Sequence, residues 1–69
     1  MKQYDFASRL VDLRTDKGIS QRALAKEINI SQVAISQWEN RENEPTMQSL
    51  IKLAQYFNVS VDYLVGLQE

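Results

Sequence analysis

The stretch Gly18-Ile19-Ser20-Gln21-Arg22-Ala23-Leu24-Ala25-Lys26-Glu27-Ile28-Asn29-Ile30-Ser31-Gln32-Val33-Ala34-Ile35-Ser36-Gln37-Trp38-Glu39-Asn40 decides the fold. Two serines divide it. Ser20 and Ser31 are both good N-caps, because a serine hydroxyl accepts from an otherwise unpaired amide of the first helical turn. The helix opened by Ser20 is expected over Gln21 to Ile28, with Leu24, Ala25 and Ile28 as its inner stripe. The helix opened by Ser31 is expected from Gln32 to about Asn40, with Ile35 and Trp38 facing inward. Only Asn29, Ile30 and Ser31 join the two, and Asn29 is the best non-glycine residue for a left-handed turn. Helices joined this tightly cross steeply, and Ala25 supplies the small side chain needed where they meet.

Outward from this pair the signals remain helical. Phe6, Leu10 and Leu13 share a helical spacing that predicts a helix over Tyr4 to Lys17. Lys17 suits the negative end of that helix and Gly18 a left-handed stop. Ile19 is expected to pack back on the core. Pro45 blocks continuation after the second of the paired helices. Thr46 then caps a helix over Met47 to Phe57, with Leu50, Ile51, Leu53, Ala54 and Phe57 as apolar positions. Asn58 ends it, Ser60 caps a short last helix through about Val65, and Gly66 closes that one. The expected architecture is all-α, five short helices in a single domain over residues 1–69.

A chain of 69 residues leaves little room for a buried catalytic cavity. It contains neither cysteine nor histidine, so disulfides and zinc sites of the usual kind are excluded. There is no glycine-rich phosphate loop and no dense carboxylate loop. No enzyme, metal or cofactor is expected. No apolar run is long enough to cross a membrane, and a soluble, reducing, cytoplasmic setting fits best. The net charge is −1, from 8 basic and 9 acidic residues. That balance argues against coating nucleic acid through charge alone, and leaves the local field at a contact surface to matter.

The second of the paired helices turns Gln32, Val33, Ser36 and Gln37 outward. Glutamine can pair with both edge atoms of adenine in the major groove, and an apolar methyl can meet a thymine methyl. These side chains are short and neutral, so a helix carrying them can approach DNA closely. The helix N-termini opened by Ser20, Ser31 and Thr46 offer amides suited to phosphates. Taken alone, these are ordinary polar residues on a wet helix face. Trp38 could stack on a single strand, but its phase with Ile35 places it in the core.

Residues 9 to 64 resemble the Cro/C1-type, XRE-like helix-turn-helix family of phage and bacterial repressors. The resemblance rests on Arg9-Leu10, Leu13-Arg14, Gly18-Ile19-Ser20-Gln21, Leu24-Ala25, Ile30-Ser31, Ile35-Ser36-Gln37-Trp38-Glu39-Asn40, Pro45, Leu50, Leu53-Ala54 and Val59-Ser60-Val61-Asp62-Tyr63-Leu64. It implies a lambda-repressor-like domain whose second motif helix enters the major groove, and a dimer on a near-palindromic operator. Gln32, Val33, Ser36 and Gln37 then fall at base-reading positions. Gln21 falls where the family uses glutamine to touch a phosphate and brace the recognition helix. Asn40 and the loop to Thr46 fall in the backbone-clamping region. Arg22, Lys26 and Arg41 are the candidate phosphate cations, with Ser31 at the helix start. Arg14 and Glu39 match a pair that forms a half-buried salt bridge in some relatives. Tyr63, Val65 and Leu67 fall where related repressors build part of the dimer interface.

Two departures from the family pattern bear on affinity. Asn29 stands where glycine is commoner. The loop Arg41-Glu42-Asn43-Glu44 stands where glycine followed by basic residues is frequent, which predicts modest phosphate clamping. The expected function is a sequence-specific double-stranded DNA-binding regulator, a repressor of prophage or mobile-element genes, with adenine-containing half-sites. The alternative is an antitoxin-type module that binds a protein partner and its own promoter.

Overall fold

The computed structural model describes residues 5–67. Five helices follow one another: α1 (Phe6–Lys17), α2 (Gln21–Ile28), α3 (Gln32–Glu39), α4 (Met47–Phe57) and α5 (Val61–Leu64). Each starts on an oxygen-bearing cap. The amides of Ala23, Ala34, Ser49 and Tyr63 donate to the hydroxyls of Ser20, Ser31, Thr46 and Ser60 at 3.0–3.1 Å. Such caps contribute about 1 kcal/mol each. The first helix starts later than its apolar spacing suggests, at Phe6. There Asp5 accepts from the Ser8 amide at 3.0 Å, and the Asp5 amide donates back to the Ser8 hydroxyl at 3.3 Å. Tyr4, the expected first residue, lies outside the described residues.

The stops are equally local. Gly18, Asn29 and Asn58 follow α1, α2 and α4 in the left-handed conformation, at φ 75°, 58° and 57°. Asparagine tolerates this region better than other residues with a side chain.

The centre of the domain takes one side chain from every helix. Leu10, Leu24, Ile35, Leu53 and Leu64 are all fully buried. At roughly 1.5–3 kcal/mol for each such side chain, these five tie all the helices into one cooperative core. Ala25 and Ile28 from α2 and Trp38 from α3 are buried beside them, and Phe6 meets the Trp38 ring edge-on at 6.0 Å. Ile19 and Ile30 pack against the same core from the two turns.

Of the apolar positions of α4, Ile51 is 44% exposed. The run Leu50-Ile51-x-Leu53-Ala54 is wider than one helix face. Leu53 and Ala54 are buried and Leu50 half-buried, so Ile51 is left at the outer margin.

Candidate nucleic-acid interface

The turn between α2 and α3 sets the direction of α3. Asn29 reverses the chain, and the Ile30 amide donates to the Ala25 carbonyl at 3.0 Å. Ile35 and Trp38 are drawn into the core, so the opposite face of α3 is turned out. On it Gln32 and Val33 are exposed, Val33 at 66%, while Ser36 and Gln37 are half-buried. The four expected reading residues therefore share one face. None carries a charge.

The far end of α3 is pinned to α1 and α2. Arg14 Nε donates to Glu39 Oε2 at 2.7 Å, and Arg14 Nη2 to Glu39 Oε1 at 3.1 Å. Gln21 Nε2 adds a third bond to Glu39 Oε1 at 2.8 Å, and Arg14 Nη1 donates to the Ile19 carbonyl at 3.0 Å. The side chains of Arg14 and Glu39 keep only 16% and 6% of their exposure. The hydrogen bonds to Glu39 push the Arg14 pKa further above its ordinary value. Gln21 thus braces the end of α3 through its own side chain.

The remaining backbone candidates are exposed. Arg22 and Lys26 are exposed on α2. Ser31 is exposed, with its hydroxyl accepting from the Ala34 amide. Asn40 is the exposed C-cap of α3, and its amide donates to the Ser36 carbonyl at 3.0 Å. Thr46 caps α4 and its hydroxyl donates to Ser49 Oγ at 3.1 Å.

Arg41 has a neighbour that its sequence position does not announce. It sits at φ 61°, a left-handed position usually given to glycine. Its Nε and Nη2 donate to Asp5 at 2.9 and 3.0 Å. The guanidinium, with the Ser8 amide, holds the Asp5 carboxyl well below the usual carboxylate range. The expected helix over Tyr4 to Lys17 takes in Asp5, which here caps α1 by accepting from the Ser8 amide. Its second partner is 36 residues away.

Asn43 is the other residue that sequence reading passes over. Its Nδ2 donates to Gln37 Oε1 at 2.9 Å. The loop that carries it is fastened to the end of α3, where the Glu42 amide donates to the Gln37 carbonyl at 2.8 Å and the Arg41 amide to that of Trp38 at 3.2 Å.

The three C-terminal candidates separate. Leu67 is 79% exposed. Val65 is half-buried and lines an open cleft of about 420 Å³ with Phe6, Trp38 and Leu50. Tyr63 is half-buried with the Arg9 guanidinium 4.0 Å from its ring centroid, a cation–π contact. Arg9 is itself buried, at 6% exposure. No group of acidic side chains able to hold a metal ion occurs among the described residues, nor any helix long and apolar enough to cross a membrane.

The helix-turn-helix family model matches residues 10–64. The transcriptional activator BcrR of Enterococcus faecalis is 37% identical over 65 residues, which cover 94% of this chain and 32% of BcrR. Repressor protein C2 of Salmonella phage P22 is 47% identical over 47 residues, covering 68% of this chain and 22% of C2. The chain thus spans a third or less of the length of these two relatives. The crystal structure of the P22 c2 repressor with synthetic operator 9T superposes with a TM-score of 0.88 at 36% identity, over 96% of this chain and 100% of that one. The family match runs from Leu10 of α1 to Leu64 of α5, the first and last of the five fully buried core side chains, and the chain belongs to the helix-turn-helix family.

Proposed function

We propose that this chain is a sequence-specific double-stranded DNA-binding transcription regulator, acting in the cytoplasm as a repressor of prophage or mobile-element genes. It acts by occupying an operator rather than by chemistry. One observation carries the reading: α3 is capped by Ser31 at its start and bonded through Glu39 to α1 and α2 at its end, while Gln32, Val33, Ser36 and Gln37 face outward, uncharged and short. A face of that kind can enter the major groove and offer donors, acceptors and a methyl group to base edges. The likeness to the P22 c2 repressor, which was crystallised with a synthetic operator, supports it. The relatives' names favour this reading over the antitoxin-type one.

Arg22, Lys26, Ser31, Asn40 and the loop to Thr46 would meet the phosphates. A near-palindromic operator calls for a two-fold protein. We therefore infer a homodimer, with Leu67 as the most accessible of its candidate contacts.

Selection of bound duplexes from a random DNA pool tests the proposal. The expected product is a near-palindromic motif. A pool that yields no motif, even at low salt, contradicts it.

A further inference from the structure

Gln37 does not meet DNA as a freely turning carboxamide. A glutamine can rotate its terminal group by half a turn at little cost, because that torsion is broad and roughly two-fold. It can then present its oxygen or its nitrogen to whichever base lies opposite. Asn43 restricts that freedom in the orientation the two side chains adopt here. Its Nδ2 is a donor only, and it donates to Gln37 Oε1 at 2.9 Å. The oxygen is turned to the loop and the two Nε2 hydrogens are left for other partners.

The loop does not simply swing with the side chain. Asn43 lies one residue after Glu42, whose amide is bonded to the Gln37 carbonyl at 2.8 Å. It lies two after Arg41, which donates to Asp5 through an exposed ion pair. The donor facing Gln37 is therefore carried on a segment fixed to α3 and to the start of α1.

We propose that Asn43 is a positioning residue that sets the base preference of Gln37. With its oxygen engaged, Gln37 reads a base edge that presents acceptors, guanine before the others. Guanine offers N7 and O6 in the major groove, two acceptors for the outward Nε2 group, whereas pairing with both adenine atoms requires the oxygen to accept from the N6 amino group. The general expectation of glutamine on adenine is thereby revised for Gln37 and left in place for Gln32. This inference rests on the regulator reading of α3.

The test is duplex selection with the whole chain and three variants. Gln37→Ala identifies the base pair that Gln37 reads, as the position whose preference disappears. At that position the unaltered chain is expected to favour guanine over adenine by about tenfold. Asn43→Ala is expected to reduce that preference to less than about twofold, because the carboxamide regains both orientations. Asn43→Asp is expected to reverse it. A carboxylate can only accept, so it would take Nε2 and turn Oε1 outward, toward the amino groups of adenine or cytosine. Preferences at the other positions should stay the same in both Asn43 variants, which a general structural role for Asn43 would not allow.

Adenine favoured by the unaltered chain at that position overturns the proposal. So does an unchanged profile in both Asn43 variants. A motif that survives Gln37→Ala at every position overturns it too, while leaving the regulator reading intact. If the unaltered chain selects no motif, the regulator reading itself falls and this inference with it.

Discussion

The Arg14 guanidinium closes on the Glu39 carboxylate through two hydrogen bonds, 2.7 and 3.1 Å long, joining the last turn of α1 to the last residue of α3. This pair does more than an exposed salt bridge can, because both side chains are mostly out of water. Glu39 also accepts from Gln21 at the start of α2. One carboxylate thus ties three helices together at the end of α3.

Glu39→Ala would leave Arg14 half-buried without its carboxylate. Breaking a buried pair costs roughly 3–5 kcal/mol, and the residual exposure of Arg14 places this one near about 3 kcal/mol. In a domain of this size the melting temperature should fall by more than about 10 °C. A calorimetric melt unchanged from the parent would show that the carboxylate is not needed there.

Asp5 should make stability depend on acid in one direction. Its folded pKa is depressed, chiefly by the hydrogen bonds from Arg41. The contribution is present in full above the ordinary aspartate pKa of about 3.9. It is lost as the pH falls through the lowered value. Urea titrations of the parent and Asp5→Asn should differ at neutral pH and converge on acidification. The gap should be small, since both partners are at least half exposed. A gap that widens toward low pH would contradict this assignment.

Val33 should matter to DNA and not to the fold. It is 66% exposed, so Val33→Ala should change stability by no more than about 0.5 kcal/mol. Two methyl groups removed from a thymine contact, at ~0.8 kcal/mol each, correspond to about tenfold weaker binding of the selected operator. Fluorescence anisotropy on the operator and on random duplex would separate the cases. Equal losses on both would show that Val33 reads no base.

Leu67→Glu should weaken self-association. Leu67 is 79% exposed and stands one residue after Gly66, which is left-handed at φ 89°. Sedimentation at high protein concentration, with and without operator, should show the parent dimerising more strongly than the variant. Identical monomers in both, with operator present, would remove Leu67 from the interface and argue against a dimer.

Much of this architecture was legible because its punctuation is local. Ser20, Ser31, Thr46 and Ser60 each cap the helix that follows, and Gly18, Asn29 and Asn58 each end one in the left-handed region. The outward face of α3 follows from the phase of Ile35 and Trp38. Ile51 was not legible, because four apolar residues within five positions do not say which lies at the edge. Arg41 was not legible either: nothing in an arginine announces φ 61°, and Asp5 lies 36 residues away. Asn43 reads as a loop residue until the path of the chain brings it against Gln37. Local energetics write themselves into neighbouring residues, whereas side-chain partners brought together by the tertiary path leave no spacing to find.

The most direct measurement is the affinity of the chain for its selected operator against random duplex of the same length, across a salt series. Specific regulators bind their sites roughly 10³-fold or more tightly than random DNA at physiological salt. A ratio of at least that order is expected, with a shallow salt slope, because the loop after α3 adds Glu42 and Glu44 to its single Arg41. Equal affinity for both duplexes at every salt concentration would mean that α3 reads no sequence and that the chain is not a sequence-specific regulator.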